Sequence, residues 1–202
     1  MSQTRCKTIV AATAAVLMSM IVTTRPARAQ QTAKAKIDIQ NLFTASGWMG
    51  DGEYGRKYID FSGASKENPH SPPTCVKVTY TFGTTRWGGI YSQNKPDNWG
   101  DKPGNNYSKK GFSRVTFWAR GETGDEVVEF KAGGIDNRTK KYRDSFEVTL
   151  GRVTLTKEWK QYQIDLSGAN LSSAIGGFCW VASADYNSAE KITFFLDDIF
   201  LE

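Results

Sequence analysis

The sequence predicts an all-β protein folded as a two-sheet antiparallel β-sandwich. Three observations predict it. Apolar and polar residues alternate with a period of two in one segment after another. No segment beyond residue 29 sustains a helical period, and Gly-rich polar turns separate the alternating runs. Many short strands without helices leave a sandwich or a barrel. Each run has one apolar and one mixed face, which favours the sandwich.

In chain order, "TCVKVTYTF" sets Val76, Val78, Tyr80 and Phe82 against Lys77, Thr79 and Thr81. "SRVTFWAR" sets Val115, Phe117 and Ala119 against Thr116, Trp118 and Arg120. "EVVEFKA" sets Val128, Phe130 and Ala132 against Val127, Glu129 and Lys131. "EWKQYQIDL" sets Tyr162, Ile164 and Leu166 against Gln161, Gln163 and Asp165. "GGFCWVAS" and "KITFFLDDIFLE" complete the series, the latter with Ile192, Phe194 and Leu196 on one face. The turns are "GETGD", "AGGIDN", "LSGAN" and "IGG". The stretch "RWGGIYSQNKPDNWGDKPG", residues 86–104, is interrupted by glycine and proline and is expected to be mostly loop.

Residues 1–29 read as a secretory signal peptide. Arg5 and Lys7 precede an apolar run of 15 residues, Thr8 to Val22, and Ala27-Arg28-Ala29 offers a small-x-small cleavage site. The run is short for a membrane span, so none is expected after cleavage. Four of the 26 Lys and Arg residues (Arg5, Lys7, Arg25 and Arg28) lie in the signal, leaving 22 against 21 acids and a net charge of +1. That balance removes the case for a nucleic acid partner. Residues 30–40 read as a flexible leader and residues 41–202 as one domain, long enough to bury a full core. Cys75 and Cys179 remain, read either as a disulfide or as two buried thiols. The disulfide, the preferred expectation, would close a loop of about 100 residues and contribute roughly 4–5 kcal/mol.

The chemistry on offer is narrow. The only histidine, His70, sits in the loop "ENPHSPP" and reads as a solvated residue. No nucleophile elbow, paired-histidine zinc motif, Walker loop or dinucleotide fingerprint is present. Carboxylates for a glycosidase pair exist among Asp97, Asp101, Glu122, Glu129, Asp144, Asp165, Asp197 and Asp198, but no spacing singles out two of them. Residues 86–104 instead place Trp87, Tyr91 and Trp99 among Arg86, Gln93 and Asn98. Sugars offer apolar faces to aromatic rings and hydroxyl rims to amides and charges, so this composition fits a carbohydrate site. Trp118 beside Arg120 suggests either a grooved ligand surface or a cation–π pair with no ligand. Alternation puts Asp197 and Asp198 on opposite faces, so one would point inward and need a partner. That partner is either a structural calcium, with Asp51 and Glu53 of "GWMGDGEYG" as further ligands, or a basic side chain.

"TFWARGETGDEVVEFKAGGI", "VTLTKEWKQYQIDLSG", "GGFCWV" and "FFLDDIFLE" together resemble exported bacterial jelly-roll domains of the galactose-binding-like type, which include carbohydrate-binding modules. The resemblance spans residues 41–202. It implies a jelly roll without catalysis and often a calcium joining Asp197 or Asp198 to Asp51 or Glu53. It also implies an aromatic after the Tyr of "GGIY", where this chain has Ser92, so that one stacking platform would be missing. The expectation is an exported, periplasmic or secreted binder of polysaccharide or oligosaccharide. Trp87, Tyr91 and Trp99 would stack on sugar, and Gln93, Asn98, Arg120 and Asp144 would bond its hydroxyls, with Trp118 close by. The alternatives are a small glycan-cleaving hydrolase or lyase and an interaction domain for an envelope protein, which would show a flat apolar patch.

Overall fold

The computed structural model describes residues 35–202; the expected signal segment and residues 30–34 lie outside the described residues. The described chain opens with strand β1 (Ile37–Asp38) and a one-turn helix α1 (Ile39–Leu42). The last residues of the expected leader are therefore structured. Ile37 pairs with Leu201, Ile39 is buried in the core, and the Asp38 carboxylate accepts from the Asn41 N–H to cap α1. Next come β2 (Thr44–Gly50), a 3₁₀ segment (Asp51–Lys57), β3 (Ile59–Ser65), β4 (Cys75–Thr81) and β5 (Trp87–Gln93). Then follow β6 (Arg114–Gly121), β7 (Val127–Gly133), β8 (Glu147–Thr154), β9 (Lys160–Asp165), β10 (Gly176–Ser183) and β11 (Lys191–Leu201).

The strands form two antiparallel sheets packed face to face. One runs β3-β4-β11-β6-β9, with β1 added on β11; the other runs β2-β5-β10-β7-β8. The chain crosses repeatedly between them, as a jelly roll does. Val76, Val78 and Tyr80 of β4, Val115, Phe117 and Ala119 of β6, Val128, Phe130 and Ala132 of β7, and Ile192, Phe194 and Leu196 of β11 all enter the shared core, as the alternation predicts. Phe117 ties the sheets together, its ring 4.7 Å from Phe130 and 5.0 Å from Phe178. Each such ring contributes on the order of 2–3 kcal/mol by burial. No helix among the described residues is long and apolar enough to cross a membrane.

Three expectations are corrected. First, residues 87–93 are a strand in the middle of the five-stranded sheet, between β2 and β10. The glycines that suggested a loop serve close packing: a Cβ on Gly89 would lie 2.5 Å from the Trp180 carbonyl, and one on Gly88 would lie 3.0 Å from Ile59 Cδ1. Second, Cys75 and Cys179 are both free and buried. Their neighbours Val76 and Val78, and Phe178 and Trp180, point into the core, so each thiol faces outward from its own sheet. The whole sandwich lies between them, far beyond disulfide reach. Third, Asp197 and Asp198 do not sit on opposite faces. The β11–β6 register shifts after Asp197, and Asp198 takes a φ of 50°, so the bulge turns both carboxylates to the loop before β4 while Ile199 re-enters the core.

Candidate functional site

The outer face of the five-stranded sheet carries the open aromatic surface. On β5, alternation sends Trp87, Gly89, Tyr91 and Gln93 outward, opposite Ser183, Val181, Cys179 and Gly176 of β10 or flanking them. Between the two ends Gly89 adds no side chain and is buried beside Val181 and Met49. At one end lies a cavity of about 450 Å³ lined by Met49, Tyr91, Trp99, Lys131 and the β7–β8 loop through Asn137 and Arg138. Trp99 is half-buried and stands edge-on to Tyr91, with ring centroids 6.0 Å apart at 86°. At the other end Trp87 and Tyr186 are exposed by 41% and 51%, and the Arg152 guanidinium lies 3.9 Å from the Tyr186 ring centre. Trp87 and Tyr91 are four residues apart on one strand, about 13 Å.

The electrostatics of this face are held by neighbours. Burial opposes the charge on Lys131, yet the Tyr91 side chain and Glu147, 3.2 Å away, hold its pKa above the usual lysine range. Burial likewise pushes the Tyr91 hydroxyl up, so it stays a neutral donor and acceptor. Asp136 pairs with Arg143 at 3.7 Å and Lys140 with Asp101 at 2.6 Å. Arg138 is exposed on the rim.

Several predicted contact residues have structural work instead. Tyr91 is only 3% exposed, so it supports Trp99 and offers no free ring face. Gln93 is fully buried: its carbonyl accepts from Ser46 Oγ at 2.7 Å and its amide donates to the Asn98 carbonyl. Asn98 organises its own loop, donating to Asn94 and the Lys102 carbonyl and accepting from the Gly100 and Lys102 amides. Asp144 accepts from the amides of Ile135, Ile175 and Gly176, clamping two loops beneath the cavity. Burial raises its pKa to about 6 against those three bonds. Ser92 pairs with Phe178 on the interior side of the sheet, so an aromatic there would not extend the outer platform.

Trp118 and Arg120 belong to the other sheet and its opposite outer face. There the loop between β3 and β4 covers them. His70, expected to be solvated, stacks on Trp118 at 3.8 Å, and its Nδ1 lies 2.8 Å from Asp198. Ser71 donates from Oγ to Asp198 and from its amide to Asp197. Arg120 lies 3.7 Å over Phe195 and 5.3 Å from Trp159, and donates to the Glu67 carbonyl. The expected Arg120–Trp118 pair is not what forms: Arg120 lies over Phe195, His70 takes the Trp118 ring, and these side chains anchor a loop.

The four acids expected around calcium do not come together. Asp51 is fully buried beside the Tyr80 end of β4, whereas Asp197 follows Leu196, which pairs with Val76 near the other end. Asp51 accepts from Tyr80, from the amides of Gly83 and Thr85, and from the Thr85 hydroxyl. Burial alone would raise its pKa, but these four donors outweigh it and hold the carboxyl below the ordinary value. Four donors leave this carboxylate poorly suited to a cation. Glu53 is exposed on the 3₁₀ segment. Among the described residues no three His, Cys, Asp or Glu side chains gather as a metal would require.

The residues that sequence reasoning missed are Asn137, Arg138 and Tyr186, all on loops brought over the face by strand pairing. Lys131 was legible as an outward residue of its strand, but its place beside Tyr91 depends on β10 lying between β5 and β7.

No family model matches the chain, and no curated protein matches it. Its fold is similar to that of solved carbohydrate-binding modules. The family 11 module of the cellulosomal cellulase Lic26A-Cel5E of Clostridium thermocellum is 13% identical over 84% of this chain and 95% of its own, with a TM-score of 0.50. The family 30 module of the cellulosomal cellulase Cel9D-Cel44B of the same organism is 14% identical over 79% and 88%, with a TM-score of 0.44.

Proposed function

We propose that this chain binds polysaccharide, without catalysis, along the outer face of its five-stranded sheet. The observation that carries the reading is the set of aromatic rings on this face, with half-buried Trp99 beside the cavity at one end and exposed Trp87 and Tyr186 at the other. Rings at both ends of one sheet face suit a chain of sugars better than a single one. Lys131, Asn137 and Arg138 rim the cavity, where they would meet hydroxyls. The absence of catalysis is supported by the state of the acids: Asp136 and Glu147 are ion-paired, and Glu129 lies opposite Arg152 across the strands. A glycosidase needs two carboxyl groups aimed at one bond. The shared fold with a family 11 carbohydrate-binding module adds support by analogy. Export is proposed from the charge, apolar run and cleavage pattern of residues 1–29.

The test is native affinity electrophoresis of the chain against a panel of soluble polysaccharides, with Trp99→Ala and Trp118→Ala alongside. Retardation by one glycan is expected, weakened at least tenfold in Trp99→Ala and retained in Trp118→Ala. Retardation by none would overturn the reading and shift attention to a protein partner. Shortening of the glycan would point to the enzyme alternative.

A further inference from the structure

A second cavity, unrelated to the outer face, opens between the two sheets on the side where edge strands β2 and β3 meet. It holds about 390 Å³. Its walls are core side chains from both sheets, among them Phe43, Phe61, Ile90, Phe178, Trp180 and Leu196. Its mouth carries only neutral polar groups: Gln40, Asn41, Thr44 and Ser92. No charged side chain lines it.

Two features separate this cleft from a packing defect. Its volume equals roughly a dozen water molecules and falls within the range of small-molecule sites, whereas protein interiors normally close to voids smaller than one water. The strands are bent around it. Four register breaks flank residues that line it: Ala45/Gly47 on β2, Ser62/Ser65 on β3, Gly176/Phe178 on β10 and Asp197/Phe200 on β11. Bulges of this kind redirect side chains and cluster beside functional sites.

We propose that this cleft is a binding site for a small, neutral, mostly apolar molecule carrying one hydrogen-bond-accepting oxygen, such as a medium-chain alcohol. Apolar walls drive its burial. The Ser92 hydroxyl and the other neutral polar groups of the mouth supply the polar contacts. An ionised head group is disfavoured, because the cleft has no counter-charge and an unpaired buried charge is expensive.

The test uses n-octanol and octanoate as a pair that shares a tail and differs in head-group charge. The signal of the Trp180 indole N–H, assigned with Trp180→Phe, and the melting temperature are followed during each titration. n-Octanol is expected to raise the melting temperature and shift the Trp180 signal, with octanoate at least tenfold weaker. Ser92→Leu, which projects a larger side chain into the cleft, is expected to weaken n-octanol at least tenfold and leave glycan retardation unchanged. Ala45→Leu at the rim serves the same purpose should Ser92→Leu fail to fold. No response to n-octanol, equal responses to the two probes, or n-octanol affinity unaffected by the variant would overturn the proposal. Glycan retardation is read on the opposite side of the five-stranded sheet, so either result there leaves this one to stand or fall alone.

Discussion

Asp144 shows how a residue can look like a ligand contact and act as a clamp. Its carboxylate holds three amides in a half-buried position, and burial lifts its pKa from 3.8 to about 6. A raised carboxyl pKa means that the folded state holds the proton more tightly than the unfolded state. Its contribution to stability is therefore complete below pH 3.8 and is lost as the pH rises through about 6. Relative to Asp144→Asn, the wild-type chain is expected to lose up to about 3 kcal/mol between pH 4 and pH 7, measured by denaturant unfolding at each pH. A constant difference across that window would contradict the assignment. Asp51 is the opposite case, a carboxyl held down by four donors. Asp51→Ala would strand the Tyr80 hydroxyl and two amides, and is expected to cost about 3 kcal/mol or more by the same measurement. At this scale the sequence was informative about side-chain direction and poor about side-chain duty. Alternation placed Trp118, Arg120 and Lys131 on outward faces. Nothing local could show that Gln93 and Asp144 spend their hydrogen bonds inside the scaffold, because their partners Ser46 and Gly176 lie 47 and 32 residues away; the Asn98 side chain bonds within its own loop, in a geometry that composition does not reveal.

Among the elements, β5 is the most instructive. Its Gly-Gly pair reads locally as a breaker, yet the tertiary structure needs bare backbone where β5 passes between β2 and β10. Gly89→Val would force a Cβ to within 2.5 Å of the Trp180 carbonyl. The variant is expected to lose cooperative folding, or to lower the melting temperature by well over ten degrees, in a thermal melt. The regular strands were visible because each has one buried face, which is the condition that imposes a period of two. The bulge at Asp197–Asp198 was invisible because an extra residue breaks that period without leaving a compositional mark. The β3–β4 loop makes the same point. Its His70 and Ser71 are polar and proline-flanked, but stacking on Trp118 and bonding to both aspartates fasten it to the six-stranded sheet. Trp118→Ala is expected to lower the melting temperature by several degrees and leave glycan binding intact.

For the molecule as a whole, a sandwich has two outer faces, and the chain treats them differently. One is covered by its own loop and the other leaves Trp87 and Tyr186 exposed and Trp99 half-buried. The cysteines report the same geometry. Each thiol is buried against its own outer face, and burial pushes both pKa values up, so neither is reactive in the folded state. A reductant such as dithiothreitol is expected to leave the melting temperature unchanged, and both thiols should label with a thiol reagent only after unfolding. A drop on reduction would contradict the sheet placement. The pairing failed as a sequence inference because two cysteines in an exported-looking chain suggest a bridge by number alone. The parity of positions 75 and 179 against their core-facing neighbours carries the contrary information once the sheets are known.

The most direct measurement of the central claim is a titration of the chain with the retarding glycan, followed through the indole N–H signals of its six tryptophans. The account expects the signals of Trp99 and Trp87 to move together with one dissociation constant, while those of Trp118 and Trp159 stay fixed. Movement confined to Trp118 and Trp159, or no movement at any of the four, would contradict it.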